Sequence, residues 1–341
     1  MSELQETVLI PPIHSQINFA RGFVPLAKEW KYRCLMVLGR GSFGVVYSSM
    51  AANGDLVAVK KIQIDPGLSD RELNVLEALN SPFCLKLLDY FYQTEEVNGK
   101  SVSYLNLVTE IMPESLGKLI RNRHQSRESL DPLYIKLFIY ELFEGLAHLH
   151  SLGICHRDIK TDNCLVDKRK GILKIIDYGC AKFLNEGNRP HQSYIASRIY
   201  RAPELLLNST SYDNKIDIWA AGCVISEILL DAIPMFQGCD NHDQLMQIMH
   251  VLGPPTEEDD KSFEHSLPFP KDVEKICSIE LALPLSTDKN LLELLQSIFV
   301  YNPSKRPSAI ECMKSPYFNE LFVEGLKLPN GNPMPPITRP Q

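Results

Sequence analysis

One ten-residue run constrains this chain more than any other feature: His156-Arg157-Asp158-Ile159-Lys160-Thr161-Asp162-Asn163-Cys164-Leu165. It sets a carboxylate, an ammonium and a carboxamide at fixed offsets behind a histidine-arginine pair. The first three residues alone could arise by chance; the whole run does so rarely. The bland alternative is a solvated charged loop, and other signatures lying in order on both sides count against it. Downstream, Ile175-Ile176-Asp177-Tyr178-Gly179 offers a second carboxylate after a short apolar run.

Upstream, Leu38-Gly39-Arg40-Gly41-Ser42-Phe43-Gly44-Val45-Val46 contains a G-x-G-x-x-G pattern. Alone it reads equally well as an ordinary turn. In a dinucleotide-binding fold the third glycine opens a helix. Here Val45-Val46-Tyr47 follows, which favours a strand, and a hairpin of glycines lets the backbone approach phosphates unobstructed. Val57-Ala58-Val59-Lys60 then ends on a lysine. Taken singly it is a surface charge at a strand end; beside the glycine loop it reads as a phosphate-binding lysine. Glu72, on the helix that follows, is the candidate counter-charge, although its spacing equally allows a solvated helix residue.

These residue types suit phosphoryl transfer, which asks for positioning and charge neutralisation more than covalent chemistry. On this reading the chain uses ATP and Mg²⁺. Lys60 and Lys160 neutralise phosphate charge, Asn163 and Asp177 hold metal, and Asp158 accepts or orients the proton of an incoming hydroxyl. The further signatures Ala202-Pro203-Glu204 and Asp217-Ile218-Trp219 complete an order that resembles that of protein kinases, and this resemblance implies that Glu204 pairs with Arg306 and that Asp217 braces the loop at Asp158.

The sequence separates into a β-rich part and a helical part. Val45–Tyr47 and Leu56–Val59 flank Asn53-Gly54-Asp55, a hairpin signal. Residues 70–79 carry Leu73, Leu76 and Leu79 at helical spacing. Leu85–Tyr92 and Val102–Thr109 read as strands, and Pro132–His150 as a long helix. Short strands are expected near Cys164–Val166 and Leu173–Ile176, and helices over 216–230 and 291–300. The expected class is α+β and bilobal. The divisions are an N-terminal extension over 1–25, a small β-rich lobe over 26–109, a connector at 110–114, a larger helical lobe over 115–321 and a Pro-rich tail over 322–341, extended or disordered.

Composition narrows the partners. A net charge of -7 argues against a nucleic-acid binder. The nine cysteines are scattered singly with no C-x-x-C pair, which disfavours a disulfide framework or zinc site and fits a reducing compartment. The first ten residues lack the pattern of a signal peptide, and no apolar stretch is long enough for a bilayer. A cytoplasmic protein acting on protein substrates, without nucleic acid or membrane, is expected, with nuclear entry open.

The ordered signatures resemble those of eukaryotic-type Ser/Thr protein kinases. Over about residues 30–320 the sequence is similar to the glycogen synthase kinase 3 family, in G-S-F-G-V-V-Y, R-E-L, Y-L-N-L-V, G-I-C-H-R-D-I-K, S-Y-I-A-S-R-I-Y-R-A-P-E and D-Q-L-M-Q-I-M-H-V-L-G-P-P-T. The resemblance implies substrates primed by a phosphate four residues beyond the target, held by Arg71, Arg157 and Lys182. It matches Tyr194 to the family's activation-loop tyrosine, whose charge if phosphorylated would pair with Arg198 and Arg201, and it implies that Ser197 bonds near Asp158. It assigns adenine to the backbone of Glu110 and Met112, between Leu38, Val46, Ala58 and Leu165, with the glycine loop from Gly39 to Gly44 over the phosphates. Thr109 stands where the family commonly has leucine, and implies an apolar space behind the adenine. Tyr178 replaces the usual phenylalanine. The region before residue 30 lacks an R-x-x-S inhibitory sequence, and Asp259–Lys289 departs from the stretch that binds scaffold proteins in the family. A kinase-fold scaffold without activity is the competing class; it would be favoured by loss of Lys60, Asp158, Asn163 or Asp177, all of which are present.

Overall fold

The structure is a computed structural model that describes residues 9–10, 32–41, 44–64, 70–184, 196–263 and 273–340. It contains two compact units, residues 1–77 with 85–111, and residues 78–84 with 112–341.

The N-terminal unit is built on strands β1 (Leu9–Ile10), β2 (Tyr32–Gly41), β3 (Gly44–Ala51), β4 (Leu56–Gln63), β5 (Leu87–Val97) and β6 (Lys100–Glu110), with helix α1 (Arg71–Ala78) between β4 and β5. The strands form an antiparallel sheet in the order β1-β2-β3-β4-β6-β5. The turn between β3 and β4 closes as its residues dictate: Gly54 takes φ 88, its N–H donates to the Ala51 carbonyl, and the Asn53 side chain accepts from the Asp55 amide. Alternation puts Tyr32, Ala51, Val57, Val59, Phe91 and Val108 into one buried cluster. By the same registers Val46, Ala58, Lys60 and Thr109 share the opposite face.

The C-terminal unit contains β7 (Glu114–Ser115), α2 (Leu116–Ser126), α3 (Pro132–Ser151), β8 (Ile154–Cys155), β9 (Cys164–Asp167), β10 (Ile172–Ile175) and β11 (Lys182–Phe183). These are followed by α4 (Pro203–Leu206), α5 (Lys215–Leu229), α6 (Asn241–Leu252), α7 (Glu257–Ser262), α8 (Ile279–Ala282), α9 (Lys289–Ile298) and α10 (Ala309–Met313). Asp131 caps α3 by accepting from the Leu133 amide, with Pro132 in the first turn where its missing N–H costs nothing. Apolar residues surround α3 on nearly every side, from Leu137 to Leu149, and it is the buried axis of the unit. Strands β10, β9 and β7 form one small antiparallel sheet, and β11 pairs with β8.

The boundaries differ from the sequence expectation in three places. Leu9–Ile10 lies inside the expected extension yet pairs with Arg33 and Tyr32, supplying partners to the edge strand β2. Residues 78–84 belong with the C-terminal unit. The Phe83 carbonyl accepts from the Ile175 amide at 2.9 Å, Cys84 bridges to Ile175, and the Asn80 amide donates to His148. The Pro-rich tail is extended in backbone but packed: Leu328 is buried, Asn330 and Asn332 donate to the Arg169 carbonyl, Tyr140 Oη donates to the Thr338 carbonyl, and Arg339 lies over the Phe322 ring. Composition did not reveal these partners, because each is a backbone or aromatic group far away in sequence.

Among the described residues all nine cysteines are free, and no helix is long and apolar enough to cross a membrane.

Candidate functional site

In the C-terminal unit the run His156–Leu165 folds into a loop and one 3-10 turn that carry their polar groups to a single point. Asp158 is buried, and four donors converge on its carboxylate. Oδ1 accepts from the Ser197 amide at 3.1 Å and from Ser197 Oγ at 3.3 Å; Oδ2 accepts from Lys160 Nζ at 2.6 Å and Asn163 Nδ2 at 3.0 Å. Lys160 Nζ also donates to Ser197 Oγ at 3.2 Å. The carboxylate is therefore oriented by its neighbours rather than by its own rotamer freedom.

The loop is braced from behind. Asp217, at the start of α5, accepts the amides of His156 and Arg157 at 2.8 and 2.9 Å and a hydrogen bond from His150 at 3.0 Å. Burial alone would raise the Asp217 carboxyl, but the hydrogen bond and charge of His150, with His156 and the Arg157 amide, hold it below its usual value. Arg157 adopts a left-handed backbone, φ 68, which a non-glycine residue keeps only where surroundings impose it. Glu204 and Arg306 form a buried bidentate pair at 2.7 and 2.8 Å. The guanidinium donates as well to the carbonyls of Val300, Tyr301 and Lys215.

Asn163 and Asp177 stand on adjoining segments laced by backbone bonds. The Ile176 amide donates to the Asn163 carbonyl at 2.9 Å. His156 Nδ1 accepts from the Asp158 amide, which assigns the ring proton to Nε2, and Nε2 donates to the Ile176 carbonyl at 2.9 Å. Both contacts of Asn163 Nδ2 are to Asp158 oxygens, which leaves the amide oxygen as the group available to a cation. One carbonyl and one carboxylate are hard oxygen donors of the kind Mg²⁺ takes alongside substrate phosphates. Among the described residues no cluster of three or more acidic, His or Cys side chains forms a self-sufficient metal cage.

In the N-terminal unit Lys60 Nζ bonds both Glu72 oxygens, at 2.8 and 2.9 Å, with both side chains largely buried. Glu72 is thus a partner of Lys60 rather than a solvated helix charge. The glycines differ. At Gly44, φ 140, a Cβ would stand 2.2 Å from the Lys61 carbonyl oxygen, so the sheet itself requires glycine. At Gly39 and Gly41 a Cβ would meet nothing within 4 Å among the described residues. Leu38 and Arg40 are exposed on β2, Thr109 is buried beside Ala58, and the Glu110 carboxylate accepts from the Lys86 amide. Met112 begins the C-terminal stretch, and Leu165, on β9, pairs with Ser115 of β7. Ser42, Phe43 and Tyr194 lie outside the described residues.

Among the basic residues, Arg157 and Lys182 are brought to one edge. Lys182 is registered opposite Cys155 on β8, and Arg157 Nε donates to the Cys180 carbonyl at 2.5 Å while Nη1 donates to Tyr212 Oη at 3.1 Å. Arg71 opens α1, exposed, in the other unit. Arg201 is buried, its guanidinium donating to the Ala196 carbonyl and Asn241. Arg198 donates to the Cys239 carbonyl, and its buried Nε has no partner among the described residues.

Sequence reasoning missed one buried cluster. Thr161 Oγ1 donates to Glu227 Oε1 at 3.2 Å, and Tyr200 Oη donates to Glu227 Oε2, tying the loop at Asp158 to α5 and to the segment after Ser197. Burial raises the Glu227 carboxyl despite the hydrogen bonds from Tyr200 and Thr161. The available signal was a lone charged residue in the run Cys223–Leu230, which is apolar apart from Glu227 and its neighbour Ser226. Tyr212, against Arg157, left no signal in the spacing.

A protein kinase domain model matches residues 32–318. A relative named glycogen synthase kinase 1, from Pyricularia oryzae, is 37% identical over 317 residues, covering 91% of this chain and 78% of that protein.

Proposed function

We propose, for a chain that belongs to the protein kinase family and is a serine/threonine kinase similar to the glycogen synthase kinases, that its preferred substrates already carry a phosphate four residues beyond the target Ser or Thr. The observation that carries this reading is the placement of Arg157 and Lys182 at one edge of the C-terminal unit, next to the loop that holds Asp158. Guanidinium and ammonium groups side by side suit a phosphate dianion. Among the described contacts only two of the five Arg157 donors are committed. Arg71 is the third basic member that the family resemblance implies.

The chemistry at Asp158 follows from its neighbours. A carboxylate held by Ser197, Lys160 and Asn163 receives the hydroxyl of the target residue and orients its proton as the terminal phosphate of ATP is attacked in line. Lys160, 2.6 Å from Asp158, carries positive charge toward that phosphate. Lys60, pinned by Glu72, meets the inner phosphates. Among the described residues none packs where a Cβ of Gly39 or Gly41 would stand, and close approach of phosphate to their backbone supplies a reason for glycine. Asn163 and Asp177 would hold Mg²⁺, which when bound neutralises the triphosphate charge. In the N-terminal unit the backbone of Glu110 addresses the adenine, with Leu38, Val46 and Ala58 as apolar contacts and Thr109 behind them; Met112 and Leu165 are the further members that the family resemblance implies. Modification of Tyr194 would add charge for Arg198 and Arg201.

The test uses matched peptides with and without the priming phosphate. The primed peptide is expected to show at least a tenfold higher kcat/KM, and Lys182→Ala to bring the ratio toward one. Equal rates on the two peptides would remove the proposal while leaving the kinase assignment standing.

A further inference from the structure

Asp177 has φ 63 and ψ 74, a left-handed conformation that costs a non-glycine residue free energy unless something imposes it. The next residue supplies the constraint. Tyr178 is 0% exposed and opens the 3-10 turn Tyr178–Cys180, which the Ala181 amide closes on the Tyr178 carbonyl at 2.9 Å. Its ring meets that of His156 edge-on, with centroids 5.4 Å apart. Its hydroxyl donates back to the Ile175 carbonyl at 2.7 Å, so one side-chain hydrogen bond closes a ring around Ile176 and Asp177. The same hydroxyl makes a hydrogen-bonding contact with the Cys84 thiol, which also faces the Gly145 carbonyl. Phenylalanine at this position would keep the ring contact and lose both polar ones.

We propose that the Tyr178 hydroxyl is a latch that holds Asp177 in its left-handed conformation, making Tyr178 a positioning residue for that carboxylate. Swinging the ring out breaks the buried hydrogen bond from the Tyr178 hydroxyl to the Ile175 carbonyl, so the open turn is rarer than it would be with phenylalanine. Asp177 is then preset by its own segment. The catalytic consequence rests on Asp177 as a metal ligand; the latch does not.

Cys84 gives a direct readout, because it lies against the latch and is 1% exposed. Burial pushes its thiol up to about 11, so alkylation requires the turn to open. Wild type and Tyr178→Phe would be treated with N-ethylmaleimide, and labelling of Cys84 followed by peptide mass spectrometry. Cys312, buried elsewhere in the unit, reports global opening. Cys84 labelling is expected to rise about tenfold in the variant with Cys312 unchanged. Unchanged Cys84 labelling overturns the latch, and so does an equal rise at Cys312, which would mean that the whole unit has loosened. A parallel Mg²⁺ titration of activity separates the two readings. A higher Mg²⁺ requirement with kcat recovered at saturation supports both. Faster Cys84 labelling with an unchanged requirement keeps the latch and removes Asp177 from the metal site.

Discussion

Arg306 has its guanidinium enclosed by Glu204, three backbone carbonyls and the Trp219 ring 5.0 Å away. Truncating it leaves a buried carboxylate without its counter-charge, a change that costs about 3–5 kcal/mol. Arg306→Ala is therefore expected to lower the melting temperature by roughly 10 °C, read by thermal denaturation. Glu204→Gln, which keeps hydrogen-bonding capacity and removes the charge, should also destabilise. At this scale the sequence is legible where several residues act within one short run. His156 to Asn163 could be read as a unit because the chemistry dictates their spacing. The bond between Thr161 and Glu227 could not, because it joins positions 66 residues apart whose types are common in any loop or helix. The glycine pattern was legible as a motif, but the reason for each glycine was not. Only the register of β3 on β4 sets the Lys61 carbonyl against Gly44.

Helix α3 meets the tail at Glu144, one turn from the buried Glu141, and this region sets a pH dependence. Burial raises Glu144 from its ordinary 4.5 to about 7, partly offset by a hydrogen bond from Thr338 Oγ1 at 3.3 Å. Burial also raises Glu141 well above its ordinary value, against the Leu173 amide it accepts at 2.7 Å. Because the folded state holds the Glu144 proton more tightly than the unfolded chain does, its contribution is full below about 4.5 and is lost as pH rises through about 7. Full burial would make such a shift worth about 3 kcal/mol; partial exposure reduces this to about 1–2 kcal/mol. Glu144→Gln should thus raise the melting temperature at pH 8 by a few degrees and flatten its slope between pH 5 and 8. A variant with the wild-type slope would count against this assignment. Among the elements, α3 and the β3–β4 hairpin were legible from periodicity and turn chemistry. The allegiance of residues 78–84 was not, since backbone pairing to Ile175 leaves no mark on side-chain pattern.

For the whole molecule, the bilobal class followed from a change in periodicity near residue 112, and the two compact units divide at that point. The activity can be separated from the fold by one substitution. Asp158→Asn preserves shape and removes the charge that receives the hydroxyl proton. It is expected to cut phosphoryl transfer from labelled ATP by about 10²–10⁴-fold with the melting temperature nearly unchanged. Activity within a fewfold of wild type would remove Asp158 from the role of receiving that proton. The packing of the last residues has a genetic corollary. Because Leu328 lies against Gly171, and Thr338 meets Tyr140 on the central helix, a stop introduced before Leu328 would uncover the interior rather than trim an appendage. Such a truncation should lower the melting temperature, read by thermal denaturation, although every signature that identifies the enzyme would still be encoded.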